Sequence, residues 1–225
     1  MEMMRSPAAI FFEEFHQACH RGSRNLKDVK VLPVSKGRSV EQIRDCLREQ
    51  WFPKKLSENY LEELKEKQHG ISNEFSEVEW HFSGRLQSRK LEEICSRVAF
   101  VHTVSRVKEI LAISKLKTPP KFFIQINISE EPQKNGFSAS ELNEAIEAVD
   151  MLRLRPFFVG LMGMASLRKI SGDSKVLKQF ELLRRLRDSF LPNGELSMGM
   201  SDDYELALKE GATLIRIGSR LFEQS

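Results

Sequence analysis

A lysine behind an apolar run can act as a nucleophile, and Val31, Leu32 and Val34 stand directly behind Lys36. Apolar neighbours would desolvate the amine and favour its neutral form, which attacks an aldehyde to give a Schiff base. Gly37-Arg38 follows, so taken alone the residue reads more simply as a surface lysine opening a loop. Gly199-Met200-Ser201 and Gly218-Ser219 have the composition of an anion cradle. Glycine lets backbone N–H groups approach, serine adds hydroxyl donors, and each serine would open a helix whose first turn favours negative charge. Ser201 is equally a plain N-cap, with Asp202 and Asp203 in the first turn. Those acids would weaken an anion site if they faced it, so they are expected to face outward. Arg216 lies inside Leu214-Ile215-Arg216-Ile217, where a permanent charge needs a partner. An internal salt bridge is the ordinary explanation. The functional one is a donor to a ligand atom that must stay unprotonated, such as a pyridine nitrogen. Asn59 and His81 are further candidates, either orienting a ligand hydroxyl or carboxylate or serving as satisfied core polar groups.

These residues need strand ends to hold them. Short apolar runs predict eight strands, at Lys30–Val34, Lys54–Ser57, Glu79–Phe82, Val98–His102, Lys121–Ile128, Leu154–Val159, Glu195–Met198 and Thr213–Ile217. The fifth is apolar on both faces, as a buried parallel strand requires. Helical patterns lie between them. Ser39 with Gln42, and Ser138 with Glu141, have capping-box spacing. Leu177, Phe180, Leu183, Leu186 and Phe190 form the stripe of a longer helix that Pro192-Asn193-Gly194 ends. Strands alternating with helices imply a parallel sheet with right-handed crossovers, and eight such units suit a closed (β/α)8 TIM barrel. After the eighth strand and the Gly218-Ser219-Arg220 that ends it, only Leu221–Ser225 remain, too few for an outer helix. The helical segment Ala8–Arg21 would fill that place in the ring. In such a barrel, reactive groups sit at the C-terminal strand ends, with phosphate often held after strands seven and eight.

The 225 residues fit one domain, 1–225, without a linker or low-complexity tract. The 35 basic and 32 acidic residues are interleaved, leaving no concentrated footprint for nucleic acid. Arg184, Arg185 and Arg187 lie among acids and apolar residues and read as a solvated helix face. Cys19, Cys46 and Cys95 are odd in number and lack a CxxC pair, which argues for reduced thiols rather than disulfides or a metal site. The stretch from Met1 to His20 lacks a signal-peptide layout, and no apolar run approaches the ~20 residues needed to span a bilayer. A cytoplasmic protein, not bound to membrane, is the expectation.

Eight pieces, in this order, resemble the pyridoxal phosphate homeostasis protein family, related to the barrel domain of bacterial alanine racemases. They are Val34-Ser35-Lys36, Glu58-Asn59-Tyr60, Trp80-His81-Phe82, Gly84-x-Leu86-Gln87-Ser88-x-Lys90, Gln125-Ile126-Asn127-Ile128-Ser129, Gly160-Leu161-Met162, Leu196-Ser197-Met198-Gly199-Met200-Ser201 and Arg216-Ile217-Gly218-Ser219. The match runs from about Val29 to Phe222. The resemblance implies a fold-type III barrel binding pyridoxal 5′-phosphate, with the imine on Lys36, Arg216 facing the pyridine nitrogen, and Ser201, Gly218 and Ser219 on the phosphate. It also implies a carrier or regulator of the cofactor, with pyridoxal-phosphate-dependent apoenzymes as recipients, and a monomer or weak homodimer. Ser57 stands where the family usually has glycine, Ser83 where it has an apolar residue, and Leu221-Phe222-Glu223 where it ends Ile-Phe-Gly.

Efficient two-base racemisation needs a second proton-transfer group opposite Lys36. In alanine racemases that is a tyrosine from a C-terminal β domain, and this sequence ends after the barrel, with Tyr60 and Tyr204 its only tyrosines. A cofactor carrier is therefore expected. A weak amino-acid racemase using Lys36 is the alternative, and an interaction module on a barrel scaffold is the third.

Overall fold

The computed structural model describes residues 6–223. Residues 1–5 of the segment read for a leader, and residues 224–225 of the tail after the last strand, lie outside them.

Eight parallel strands form one sheet, in the order β1-β8-β7-β6-β5-β4-β3-β2. They are β1 (Lys30–Pro33), β2 (Lys55–Glu58), β3 (Glu79–Phe82), β4 (Phe100–Val104), β5 (Lys121–Ile126), β6 (Phe158–Gly163), β7 (Glu195–Ser197) and β8 (Leu214–Ile217). A parallel bridge between Val34 and Ser57 joins β1 to β2, and the Ser35 N–H donates to the Ser57 carbonyl there at 3.0 Å. The ring is thereby completed as a (β/α)8 barrel. Strand β6 begins at Phe158 rather than Leu154. Leu154 is buried, but its N–H bonds the Val149 carbonyl in a turn that follows Arg153 at φ 55°. Its apolar character serves the turn, not the sheet.

The helices are α1 (Pro7–Arg21), α2 (Val40–Arg48), α3 (Leu61–Ile71), α4 (Leu91–Cys95), α5 (Val107–Ser114), α6 (Leu142–Met151), α7 (Arg168–Phe190), α8 (Tyr204–Lys209) and α9 (Ser219–Phe222). Both arms of the Ser39–Gln42 capping box form at α2. The Ser138–Glu141 pair makes the same reciprocal bonds, but in the turn before α6 rather than at its cap. Helix α1 packs on α8 and α9, with Phe11 and Tyr204 rings 5.5 Å apart, and so occupies the place in the outer ring predicted for it. In α7 the chain leaves helical geometry at Gly172 (φ 75°), which only a residue without Cβ adopts readily. The core is apolar from every strand and every helix, and no described helix is long and apolar enough to cross a membrane. Of the three arginines read as a solvated face, Arg185 is exposed, whereas Arg184 pairs with Glu210 and the largely buried Arg187 pairs with Asp188 and donates to the Gly194 carbonyl.

Candidate functional site

Beyond the C-terminal ends of the strands lies a cavity of about 410 Å³. Six of the seven candidate residues line it: Lys36, Asn59, Ser201, Arg216, Gly218 and Ser219. They arrive from four neighbouring strands, β7, β8, β1 and β2, and the direct pairing of β1 with β8 is what brings the amine and the Gly218-Ser219 loop to one space. A larger cavity, about 620 Å³, opens at the other end, beside the first residues of β3, β4 and β5. Its lining includes Glu79, Cys95, Phe100 and the Leu116–Lys121 loop, and none of the seven candidate residues reaches it.

Arg216 is nearly sealed from solvent. Its Nη1 donates to the Ser197 carbonyl (2.8 Å) and hydroxyl (2.7 Å), and its Nη2 donates to the Gly163 carbonyl (3.2 Å). No carboxylate pairs with it directly among the described residues. Burial brings the guanidinium down to about 10, opposed by the charge of Asp203, and it remains a cation at neutral pH. A guanidinium carries five N–H donors. Those three bonds leave two, on a side chain that forms part of the cavity wall.

The hydroxyls of Ser219 and Ser201 lie 3.4 Å apart, one after β8 and one after β7. Ser219 opens α9, as expected, but Ser201 sits in a turn and the cap of α8 is Asp203. At Gly218 a Cβ would meet the Val34 carbonyl at 3.4 Å, ordinary van der Waals contact, and the residue lines the cavity. Asn59 is half-buried and accepts a hydrogen bond from Ser83 (3.0 Å), which is itself 2.8 Å from the Ser57 hydroxyl. The two departures from the family pattern at 57 and 83 are thus one hydrogen-bonded pair, and it holds Asn59.

Three further expectations fail. Lys36 is exposed at the end of its strand rather than desolvated by Val31, Leu32 and Val34 behind it. His81 lies inside the barrel below the cavity, bonded to Glu79 and His102 rather than to the space where a ligand would sit. Inward-facing positions of a strand fill the barrel layer by layer, and His81 is one layer too deep. Asp203 is turned inward, not outward, because its Oδ1 accepts the Met200 N–H at 2.7 Å and closes the turn. Burial raises its carboxyl above the ordinary value, while the Met200 bond and the Arg216 charge oppose that rise. Asp202 is exposed at the rim. Arg38 and Arg168 also line the cavity and were not anticipated. The Nε of Arg38 is buried without a partner among the described residues, a donor that an anionic ligand would satisfy. Arg38 sits in the loop after β1 and Arg168 opens α7, both among residues of mixed charge where sequence alone offers no signal.

The backbone around Lys36 is held from beneath. The buried Lys67 on α3 donates to the Ser35 carbonyl (2.7 Å), Glu58 (2.6 Å) and Glu63 (2.7 Å). Glu63 in turn accepts the Gly37 N–H at 2.8 Å. Burial holds Glu58 above its ordinary value against bonds from Lys67 and Ser35. It would raise Glu63 too, but bonds from Lys67 and Gly37 bring that carboxyl below its ordinary range. Residues 35 and 37 are therefore tied on both sides of Lys36, whose own amine makes no hydrogen bond among the described residues.

The donor set matches one kind of ligand. An amine, a buried cation, and paired hydroxyls beside the Gly218 backbone suit an aldehyde, a ring nitrogen and a phosphate on one molecule, with Met162 and Met164 as apolar wall.

No family model matches the chain. The pyridoxal phosphate homeostasis protein of Escherichia coli (strain K12) is 31% identical over 225 residues, covering 93% of this chain and 92% of its own. The solved structure of PipY from Synechococcus elongatus PCC7942 with PLP bound superposes with a TM-score of 0.68 at 25% identity, covering 92% of this chain and 98% of that one. Alanine racemase from Corynebacterium glutamicum shares the fold at 13% identity and a TM-score of 0.66, over 93% of this chain and 61% of its own.

Proposed function

Because the chain belongs to the pyridoxal phosphate homeostasis protein family, we propose that it holds pyridoxal 5′-phosphate at the mouth of its barrel as a Schiff base on Lys36. It acts there as an intracellular carrier and regulator of the cofactor, without efficient turnover. The relatives' name and the PLP in PipY support the choice of cofactor. The observation that carries the placement is the shared cavity of Lys36, Arg216, Gly218, Ser201 and Ser219.

When bound, the cofactor supplies an aldehyde carbon that condenses with amines. Lys36 presents the amine, on a backbone clamped at Ser35 and Gly37. Arg216 offers its two remaining donors and, as a cation, disfavours a proton on any nitrogen placed against it. Ser201 and Ser219 offer hydroxyls and Gly218 its backbone to a phosphate. Asn59 and Ser83 hydrogen-bond at the rim. Tyr204 is buried against Phe11 and Tyr60 does not line the cavity, which supports a carrier over a racemase with a tyrosine base. The chain is taken as one domain whose recipients are pyridoxal-phosphate-dependent apoenzymes. Its three free cysteines support a reducing compartment, the cytoplasm.

Borohydride reduction of the protein incubated with pyridoxal phosphate, followed by peptide mass analysis, tests this. A phosphopyridoxyl adduct on Lys36 is expected. An adduct on a different lysine, or none, overturns it. Deuterium wash-in at the α-carbon of alanine that disappears in Lys36→Ala would favour the weak racemase.

A further inference from the structure

Four side chains connect Arg216 to the far end of the barrel. The Arg216 Nη1 lies 2.7 Å from the Ser197 hydroxyl, which is 3.1 Å from His102 Nδ1. His102 Nε2 is 2.9 Å from His81 Nδ1, and His81 Nε2 is 3.1 Å from Glu79 Oε1. The path crosses the lumen from β8 and β7 to β4 and β3. Each ring is fixed in plane by an aromatic neighbour, His81 on Phe100 at 4.5 Å and His102 on Phe123 at 4.4 Å.

Burial pushes His81 below its ordinary value, although Glu79 opposes this, and pushes fully buried His102 well below it. Both rings are therefore neutral at pH 7, each with one N–H and one lone pair. That settles every proton. A carboxylate only accepts, so His81 carries its proton on Nε2 and accepts at Nδ1. His102 must then donate from Nε2 and accept at Nδ1. The Ser197 hydroxyl donates to that lone pair and accepts from Arg216, which can only donate.

We propose that Glu79, His81, His102 and Ser197 are positioning residues for the cavity, a one-way hydrogen-bond chain that carries the charge of Glu79 to Arg216 and locks both histidines as Nε2–H tautomers. A buried cation without an adjacent carboxylate is costly. Polarised neutral links in a low-dielectric interior bring it a second counter-charge, on the side away from Asp203, whose carboxylate already acts on it from the cavity wall without a direct bond. They also set the rotation of the guanidinium, and hence which two N–H groups remain for a ligand. That last consequence rests on the proposed cofactor site. The chain itself does not.

The test uses the full protein labelled with ¹⁵N at its five histidines, without and with pyridoxal phosphate. Long-range ¹H–¹⁵N spectra at pH 7, assigned with His81→Phe and His102→Phe, are expected to show both rings as neutral Nε2–H tautomers in each state. A doubly protonated ring, or Nδ1–H on either, overturns the proposal. His102→Phe is expected to weaken pyridoxal phosphate binding about tenfold and to shift the absorption maximum of the bound cofactor. Borohydride should still place the adduct on Lys36. Glu79→Gln keeps an acceptor at the half-exposed end without the charge, and should give a smaller shift in the same direction even if His102→Phe does not fold. An unchanged absorption maximum in Glu79→Gln would reject the charge relay. Correct tautomers with no Lys36 adduct would reject the cofactor site instead.

Discussion

Lys67 Nζ lies 2.6 Å from Glu58 Oε1, and neither side chain is more than 3% exposed. All three ammonium donors of Lys67 are in use, and two of their acceptors, Ser35 and Glu63, hold the backbone on either side of Lys36.

Breaking this pair should be severe. Lys67→Met leaves the Glu58 carboxylate buried without its counter-ion, a change expected to cost about 3–5 kcal/mol. Urea unfolding measures it. Lys67→Met combined with Glu58→Gln should recover a large part of the loss, since the uncompensated charge is gone. A single variant within about 0.5 kcal/mol of the parent would show that the network contributes no more than ordinary surface positions do.

A smaller substitution reaches the same rim through the backbone. A Cβ on Gly84 would lie 1.9 Å from the Asn59 carbonyl oxygen, closer than any contact atoms tolerate. Gly84→Ala therefore requires the 58–60 segment to move, with an expected cost of about 1–3 kcal/mol and weaker pyridoxal phosphate binding. Thermal unfolding and a spectroscopic titration read the two effects. Unchanged melting would mean that the loop after β2 is softer than its hydrogen bonds indicate.

Asp203 sets a pH dependence whose sign can be worked out. Burial raises its folded value above the ordinary 3.8, against the Met200 N–H bond, Arg216 and Arg168, while Asp202 adds to the rise. Between those two values the native state binds more protons than the unfolded one, so stability falls as pH rises through the interval. The deficit persists above it. Asn retains an oxygen for the Met200 N–H, so Asp203→Asn should flatten the stability profile above pH 4 and lose nothing at pH 7. Glu58 slopes the same way in parent and variant and cancels in the comparison. Urea midpoints from pH 4 to 7 provide the measurement; a steeper decline in the variant would contradict it.

The barrel was legible because each strand is an apolar run bounded by turn residues, and Glu79–Phe82 matches to the residue. Leu154 misled because burial in a turn and burial in a sheet look alike in one dimension. At the site, residue types at strand ends identified six cavity residues, since the ends of parallel strands in a closed ring must converge. The interior chain was not legible. His81 and His102 are 21 positions apart, and His102 and Ser197 are 95. The available signal was polar residues at inward positions of β3, β4 and β7, which the two-residue period of a strand exposes. Asp203 went wrong for a local reason, a side chain bonding three residues back in a tight turn.

The single bridge between Val34 and Ser57 has a consequence for how such a protein can be tuned. Stiffness beneath Lys36 is delegated to side chains rather than to a full backbone ladder, so the placement of that residue can be adjusted by exchanging a residue or two at that junction while the remaining staves keep their register.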